Sequence, residues 1–114
     1  MSSRSPAFVL IHVVWATAHR RPLLVSSLDD RLGGLLGRKA RELGCVLFAA
    51  GFALDHVHAL VRVAPVVPLA DLVQRLKGAS AHDFNEARLL PQALHWQAGY
   101  WAESVGPAEL APLI

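Results

Sequence analysis

One cysteine, Cys45, stands among 114 residues, so no intramolecular disulfide can form and no all-thiolate zinc site can be assembled. That usage fits a reducing, cytoplasmic setting. Long apolar runs are also missing, and none approaches the roughly 20 residues that cross a bilayer. An excess of one charge is barely present: eleven Lys and Arg face nine Asp and Glu, for a formal net charge of +2. The imbalance is local. Bases outnumber acids eight to four through Arg62, and acids outnumber bases five to three after it, so the basic surface belongs to the first half. A stripe of that size occurs on many proteins that never touch nucleic acid, and charge by itself selects no partner. There is no repeat, linker or low-complexity segment. With 54% hydrophobic residues, the chain reads as a single domain over residues 1–114 with a real core.

Arg4, the apolar run from Ala7 and the Ala16-Thr17-Ala18 triplet have the outline of a secretory signal. His12 interrupts that run, however, and the β-branched Val9, Ile11, Val13 and Val14 read better as a buried strand from Phe8 to Ala16. Leu28, Leu32, Leu35, Leu36, Ala40 and Leu43 fall at helical spacing, and Gly44 stops that helix. Val46 to Phe52 and Val57 to Val63 read as a strand pair around a short connection at Leu54 and Asp55. Pro65 to Pro68 is a loop. Leu69, Leu72, Val73 and Leu76 mark a second helix predicted to end near Lys77 and Gly78, with a further short helix over Ser80 to Arg88. Gly99 to Val105 reads as a last strand, and Pro107 opens a final helix. The order predicts an α+β, ferredoxin-like domain with an antiparallel sheet and helices packed on one face.

Asp55-His56-Val57-His58 is the most informative stretch. Two histidines at i and i+2 of a strand project from one face, about 7 Å apart at the backbone, and can converge on one ion while Val57 anchors the strand in the core. A pair of surface histidines would look the same, since an HxH pair recurs by chance and a metal needs further ligands. A regular strand would put Asp55 on the opposite face from both histidines, which argues against a small metal-dependent hydrolase built on Asp55, His56 and His58.

Four blocks, in order, carry a resemblance that covers nearly the whole chain. They are His12-Val13-Val14-Trp15-Ala16-Thr17 with His19-Arg20-Arg21-Pro22; Asp55-His56-Val57-His58-Ala59-Leu60-Val61; Leu76-Lys77-Gly78 with Ser80; and Trp96 leading to Gly99-Tyr100-Trp101-Ala102-Glu103-Ser104-Val105-Gly106. Together they resemble the single-tyrosine HUH transposases, the small insertion-sequence and REP-associated tyrosine transposases. The resemblance implies a homodimeric, cytoplasmic DNA transposase that binds hairpin single-stranded DNA. It implies a divalent cation, Mg²⁺ or Mn²⁺, held by His56 and His58 to polarise the scissile phosphate. It also implies a tyrosine that attacks the phosphorus to give a 5′-phosphotyrosyl link and a 3′-hydroxyl.

Carried onto this sequence, the resemblance makes Arg20, Arg21 and Lys77 candidate DNA contacts, Lys77 at a helix end. Solvated charges and helix-terminus electrostatics are the plain alternatives for them. The family's nucleophile sits on the helix after the last strand, and no tyrosine lies in Pro107 to Ile114. The expected tyrosine would lie beyond Ile114, so the chain is expected to be inactive, as a fragment or as a decayed or repurposed copy. A non-enzymatic DNA-binding protein on the same fold is the alternative reading. Tyr100, the only tyrosine, and Trp15, Trp96 and Trp101 read as packing. His12 reads as a satisfied strand histidine, and His82 and His95 carry no motif.

Overall fold

The computed structural model describes residues 9–106; the predicted helix from Pro107 lies outside them. Strand β1 (Val9–Ala16) leads through two single-turn 3₁₀ segments, Ala18–Arg20 and Ser26–Leu28, into α1 (Asp29–Glu42). A hairpin of β2 (Val46–Phe52) and β3 (His56–Val63) follows, then α2 (Leu69–Glu86) and a short β4 (Trp101–Ser104). The strands pair antiparallel in the order β2-β3-β1-β4. Because β3 lies between β1 and β2, the α1 crossover spans a strand, which is the split arrangement of the ferredoxin-like sandwich expected from the sequence.

Side-chain parity builds the core. Val13 and Trp15 of β1 and Val57, Ala59, Val61 and Val63 of β3 are buried with Leu32, Leu36 and Ala40 of α1 and Leu72, Val73, Leu76 and Phe84 of α2. The alternate residues of β3, His56, His58 and Arg62, are left more accessible, on the sheet face opposite to that core. Helix α1 begins with Asp29 and Asp30 and ends with Lys39 and Arg41 in its last turn, charges that suit its dipole at both ends. Gly44, at φ +76°, ends it. The Cys45 amide reaches back to the Ala40 carbonyl at 2.9 Å and the Gly44 amide to Arg41 at 2.9 Å, bonds that need a left-handed residue here.

Two sequence expectations need correction. The second helix does not stop near Lys77 and Gly78: α2 runs unbroken to Glu86, absorbing most of the separate helix expected over Ser80 to Arg88. The buried stripe explains it, because Leu72, Leu76, Ser80 and Phe84 recur every four residues and their packing outweighs the roughly 1 kcal/mol penalty of one internal glycine. The last strand is also shorter than Gly99 to Val105, covering Trp101–Ser104. Its approach is fixed instead by side chains. Asn85 donates to the Leu94 carbonyl at 3.0 Å and accepts from the Leu94 amide at 2.7 Å, closing the loop that returns from α2 toward β4.

Candidate metal centre

The site forms where the two central strands lie side by side. In the β1–β3 register His56 sits opposite Ala16, His58 opposite Val14, and His12 opposite Leu60, so all three imidazoles share one sheet face. His56 and His58 have ring centroids 4.8 Å apart. His56 Nδ1 lies 2.7 Å from Asp55 Oδ1, and a carboxylate only accepts, so that nitrogen carries a proton and, in the neutral ring, Nε2 keeps its lone pair. The other Asp55 oxygen, Oδ2, accepts from Arg20 Nε at 2.9 Å. These hydrogen bonds from His56 and Arg20 hold the Asp55 carboxyl below its ordinary pKa. His58 Nδ1 lies 3.1 Å from His12 Nε2, the two rings edge to edge with centroids 5.2 Å apart and planes at 22°. Burial first, and then the neighbouring His56 and His12, push the His58 pKa down, which favours the neutral imidazole a metal requires.

The expectation that Asp55 faces away from both histidines is therefore wrong. The strand begins at His56, so strand alternation does not extend to Asp55, whose carboxylate turns to the His56 ring. The backbone there is gripped by Thr17, which is fully buried. Its amide donates to the Asp55 carbonyl at 2.9 Å and its hydroxyl to the Arg21 carbonyl at 2.8 Å. His19 and Arg20 both adopt positive φ, 59° and 54°, an uncommon pair for side-chain-bearing residues. That tight reversal accompanies the return of Arg20 to Asp55.

A hollow of about 540 Å³ opens over this face, lined by Arg20, His56, His58, Gln97, Tyr100 and Trp101 among others. Two imidazoles with lone pairs could hold an ion there, each oriented through its other ring nitrogen, as metal-binding histidines usually are. Among the described residues no group of three or more His, Cys, Asp or Glu is gathered to hold a metal, so the described residues offer the two imidazoles at this site.

A family model described as "Transposase IS200 like" matches residues 8–113. The chain belongs to this family. Among the relatives of this IS200-like transposase chain is the ISDra2 transposase TnpA of Deinococcus radiodurans. It is 30% identical over 93 residues, a stretch that spans 82% of this chain and 66% of that protein. A crystal structure of a candidate transposase from Deinococcus radiodurans superposes with a TM-score of 0.81 at 29% identity, covering 99% of this chain and 91% of the other. A REP-associated tyrosine transposase bound to a REP hairpin shares the fold, with a TM-score of 0.66 at 14% identity over 93% of this chain and 63% of that one.

The remaining sequence candidates of this IS200-like chain separate. Arg20 joins the site, whereas Arg21 donates to Gln92 Oε1 at 3.0 Å. Lys77 is not at a helix end but inside α2. Its ammonium donates to the carbonyls of Gln97 at 2.7 Å and Gly99 at 3.0 Å, and burial pushes its pKa down. It fastens the segment that walls the hollow. Trp96 lies over the same helix, donating to the Lys77 carbonyl at 3.0 Å and to Ser80 Oγ at 3.1 Å. Trp15 is buried as expected, but Tyr100 and Trp101 are not packed away: they are 41% and 50% exposed. Sequence reasoning missed the parts played by Asp55 and His12. The available signal for His12 was its parity with Val14 and Ala16 on a strand that borders the histidine pair.

Proposed function

We propose that this chain is the body of a single-tyrosine HUH transposase, binding hairpin-forming single-stranded DNA for metal-assisted strand cleavage and joining. The observation that carries the reading is the paired imidazoles of His56 and His58, with Arg20 beside them at an open hollow, in a chain of the IS200-like family. The hairpin in the structural neighbour supports the choice of DNA substrate. A bound Mg²⁺ or Mn²⁺ would withdraw charge from the scissile phosphate and ease departure of the leaving oxygen.

The protein's own part is positional. Asp55 orients His56, His56 and His58 present two nitrogens, Arg20 places a guanidinium within reach of a phosphate, and Lys77 holds the wall formed by 97–99. Two imidazoles alone favour softer ions than Mg²⁺, so the remaining positions in a loaded site would be filled by oxygen donors. The outer strands β2 and β4 are natural surfaces for homodimer formation by edge pairing; sedimentation showing a monomer at all concentrations would remove that element.

The test is binding of Mn²⁺ and of a labelled DNA stem-loop by the 114-residue chain. Mn²⁺ binding should be lost in His56→Ala and in His58→Ala, and the stem-loop should bind more tightly than duplex of equal length. Undiminished Mn²⁺ binding in both variants would put the ion elsewhere, and equal affinity for duplex and stem-loop would reduce the DNA reading to general charge.

A further inference from the structure

We infer that His12 is a positioning residue that decides whether His58 can serve as a ligand, by accepting the proton on His58 Nδ1. The inference rests on the metal-centre reading above and deepens it. His58 Nδ1 and His12 Nε2 are 3.1 Å apart, and one proton lies between them when both rings are neutral. If it sits on His12, His58 must carry its own proton on Nε2, and the nitrogen needed for an ion has no lone pair. If it sits on His58, Nε2 is available. The same arrangement that Asp55 enforces on His56 is thus reproduced on His58 by a neutral imidazole rather than a carboxylate.

The surroundings hold His12 in that role. It lies opposite Glu103 on β4 and opposite Leu60 on β3, so its backbone is paired on both sides. Its ring lies edge to edge with that of His58, the planes 22° apart, and meets the Trp101 ring at 83°, with those centroids 5.5 Å apart. The hydrogen bond to His58 at one edge and the Trp101 indole set across it favour the orientation that points Nε2 at His58. Its Nε2 faces His58 Nδ1, and His12 is not among the residues that line the hollow, which sets it apart from a third ligand. Trp101 is thereby given work through His12 as well as at the hollow.

Two variants separate the inference from loss of fold. In His12→Gln the amide oxygen can still accept from His58 Nδ1, whereas His12→Leu keeps apolar bulk with no acceptor. Metal-free protein labelled with ¹⁵N at histidine reads the tautomer from ring-nitrogen shifts. His58 should carry its proton on Nδ1 in the parent and in His12→Gln, and shift toward the Nε2-protonated form in His12→Leu. Mn²⁺ affinity should fall about 10–100-fold in His12→Leu, the usual loss when a histidine ligand's outer partner is removed, and should be largely restored in His12→Gln. An unchanged tautomer in His12→Leu, or equal loss of affinity in both variants, overturns the inference. The tautomer measurement uses no metal and no DNA, so it stands apart from the functional reading. Parent Mn²⁺ binding that ignores His56→Ala would instead sink the metal centre.

Discussion

At the scale of single residues, Asp55 has the largest leverage for its size. It sets the His56 tautomer with one oxygen and neutralises Arg20 with the other. Asp55→Asn should weaken Mn²⁺ binding about 10–100-fold, as loss of such an outer partner does elsewhere, with little change in melting temperature because the carboxylate is solvent-accessible. Calorimetric titration measures the first and thermal unfolding the second. Tyr100 carries a different expectation. It lies on the wall of the hollow but immediately before β4, not on a helix that follows it. No tyrosine comes after it, so incubation of the 114-residue chain with labelled stem-loop and Mn²⁺ should give no protein–DNA band that survives denaturation. A band that vanishes in both His56→Ala and Tyr100→Phe would make Tyr100 a nucleophile. The histidine pair was legible in the sequence because strand parity needs only spacing. Asp55 was not, because the first residue outside a strand obeys no alternation. His12 was half legible, since its face follows from parity but its contact depends on the β1–β3 register, which only the folded sheet defines.

At the scale of elements, α2 shows where local reading fails and why. Lys77-Gly78 looks like a helix end by composition, yet the stripe of Leu72, Leu76, Ser80 and Phe84 is a tertiary signal that continues through it. Space around Gly78 is open, with nothing within 4 Å of an added Cβ. Gly78→Ala should therefore raise stability by about 0.5–1 kcal/mol, the usual helix-interior difference, read by urea denaturation. A decrease would mean that the glycine serves a contact outside the isolated chain. Helix pairing adds a pH dependence. Arg31 bonds both Asp83 oxygens across α1 and α2, at 2.8 and 3.0 Å, and this holds the Asp83 pKa below its unfolded value. The unfolded chain therefore binds the proton more readily, so the contribution is full above the unfolded carboxylate range and disappears as pH falls through the folded value. The pair is solvent-accessible and its effect small. Asp83→Asn should lower neutral-pH stability slightly and leave low-pH stability nearly unchanged, which flattens the acid limb of the profile. Strands β1 to β3 and α1 were readable because β-branched runs and periodic leucines ended by Gly44 agree with their tertiary roles. The segment 87–100 was not, because it is ordered by Asn85 and Lys77 reaching from α2 and by Trp96 reaching back to that helix rather than by any pattern of its own.

At the scale of the whole molecule, a net charge of +2 is a poor guide to what a phosphate backbone would meet. The three cations singled out from the sequence are each already engaged: Arg20 with Asp55, Arg21 with Gln92, and Lys77 with two carbonyls. Stem-loop affinity should fall with salt, and each phosphate contact ordinarily contributes about 0.7 to the logarithmic slope for single strands. Lys77→Ala should leave that slope nearly unchanged while loosening the hollow, whereas Arg20→Ala should lower it.

The Arg20–Asp55 pair gives that last comparison an unusual form. If DNA binds at this hollow as proposed, its phosphate meets a guanidinium whose Nε already donates to a carboxylate, so association is expected to be an exchange of anions rather than a simple neutralisation. A displaced carboxylate would keep its second bond, to His56, and its charge would then be left to the imidazole alone. Removing the competitor should make the strand bind more tightly while the cation binds less well. Opposite signs from one substitution, Asp55→Asn, would show that the two ligands draw on the same carboxylate.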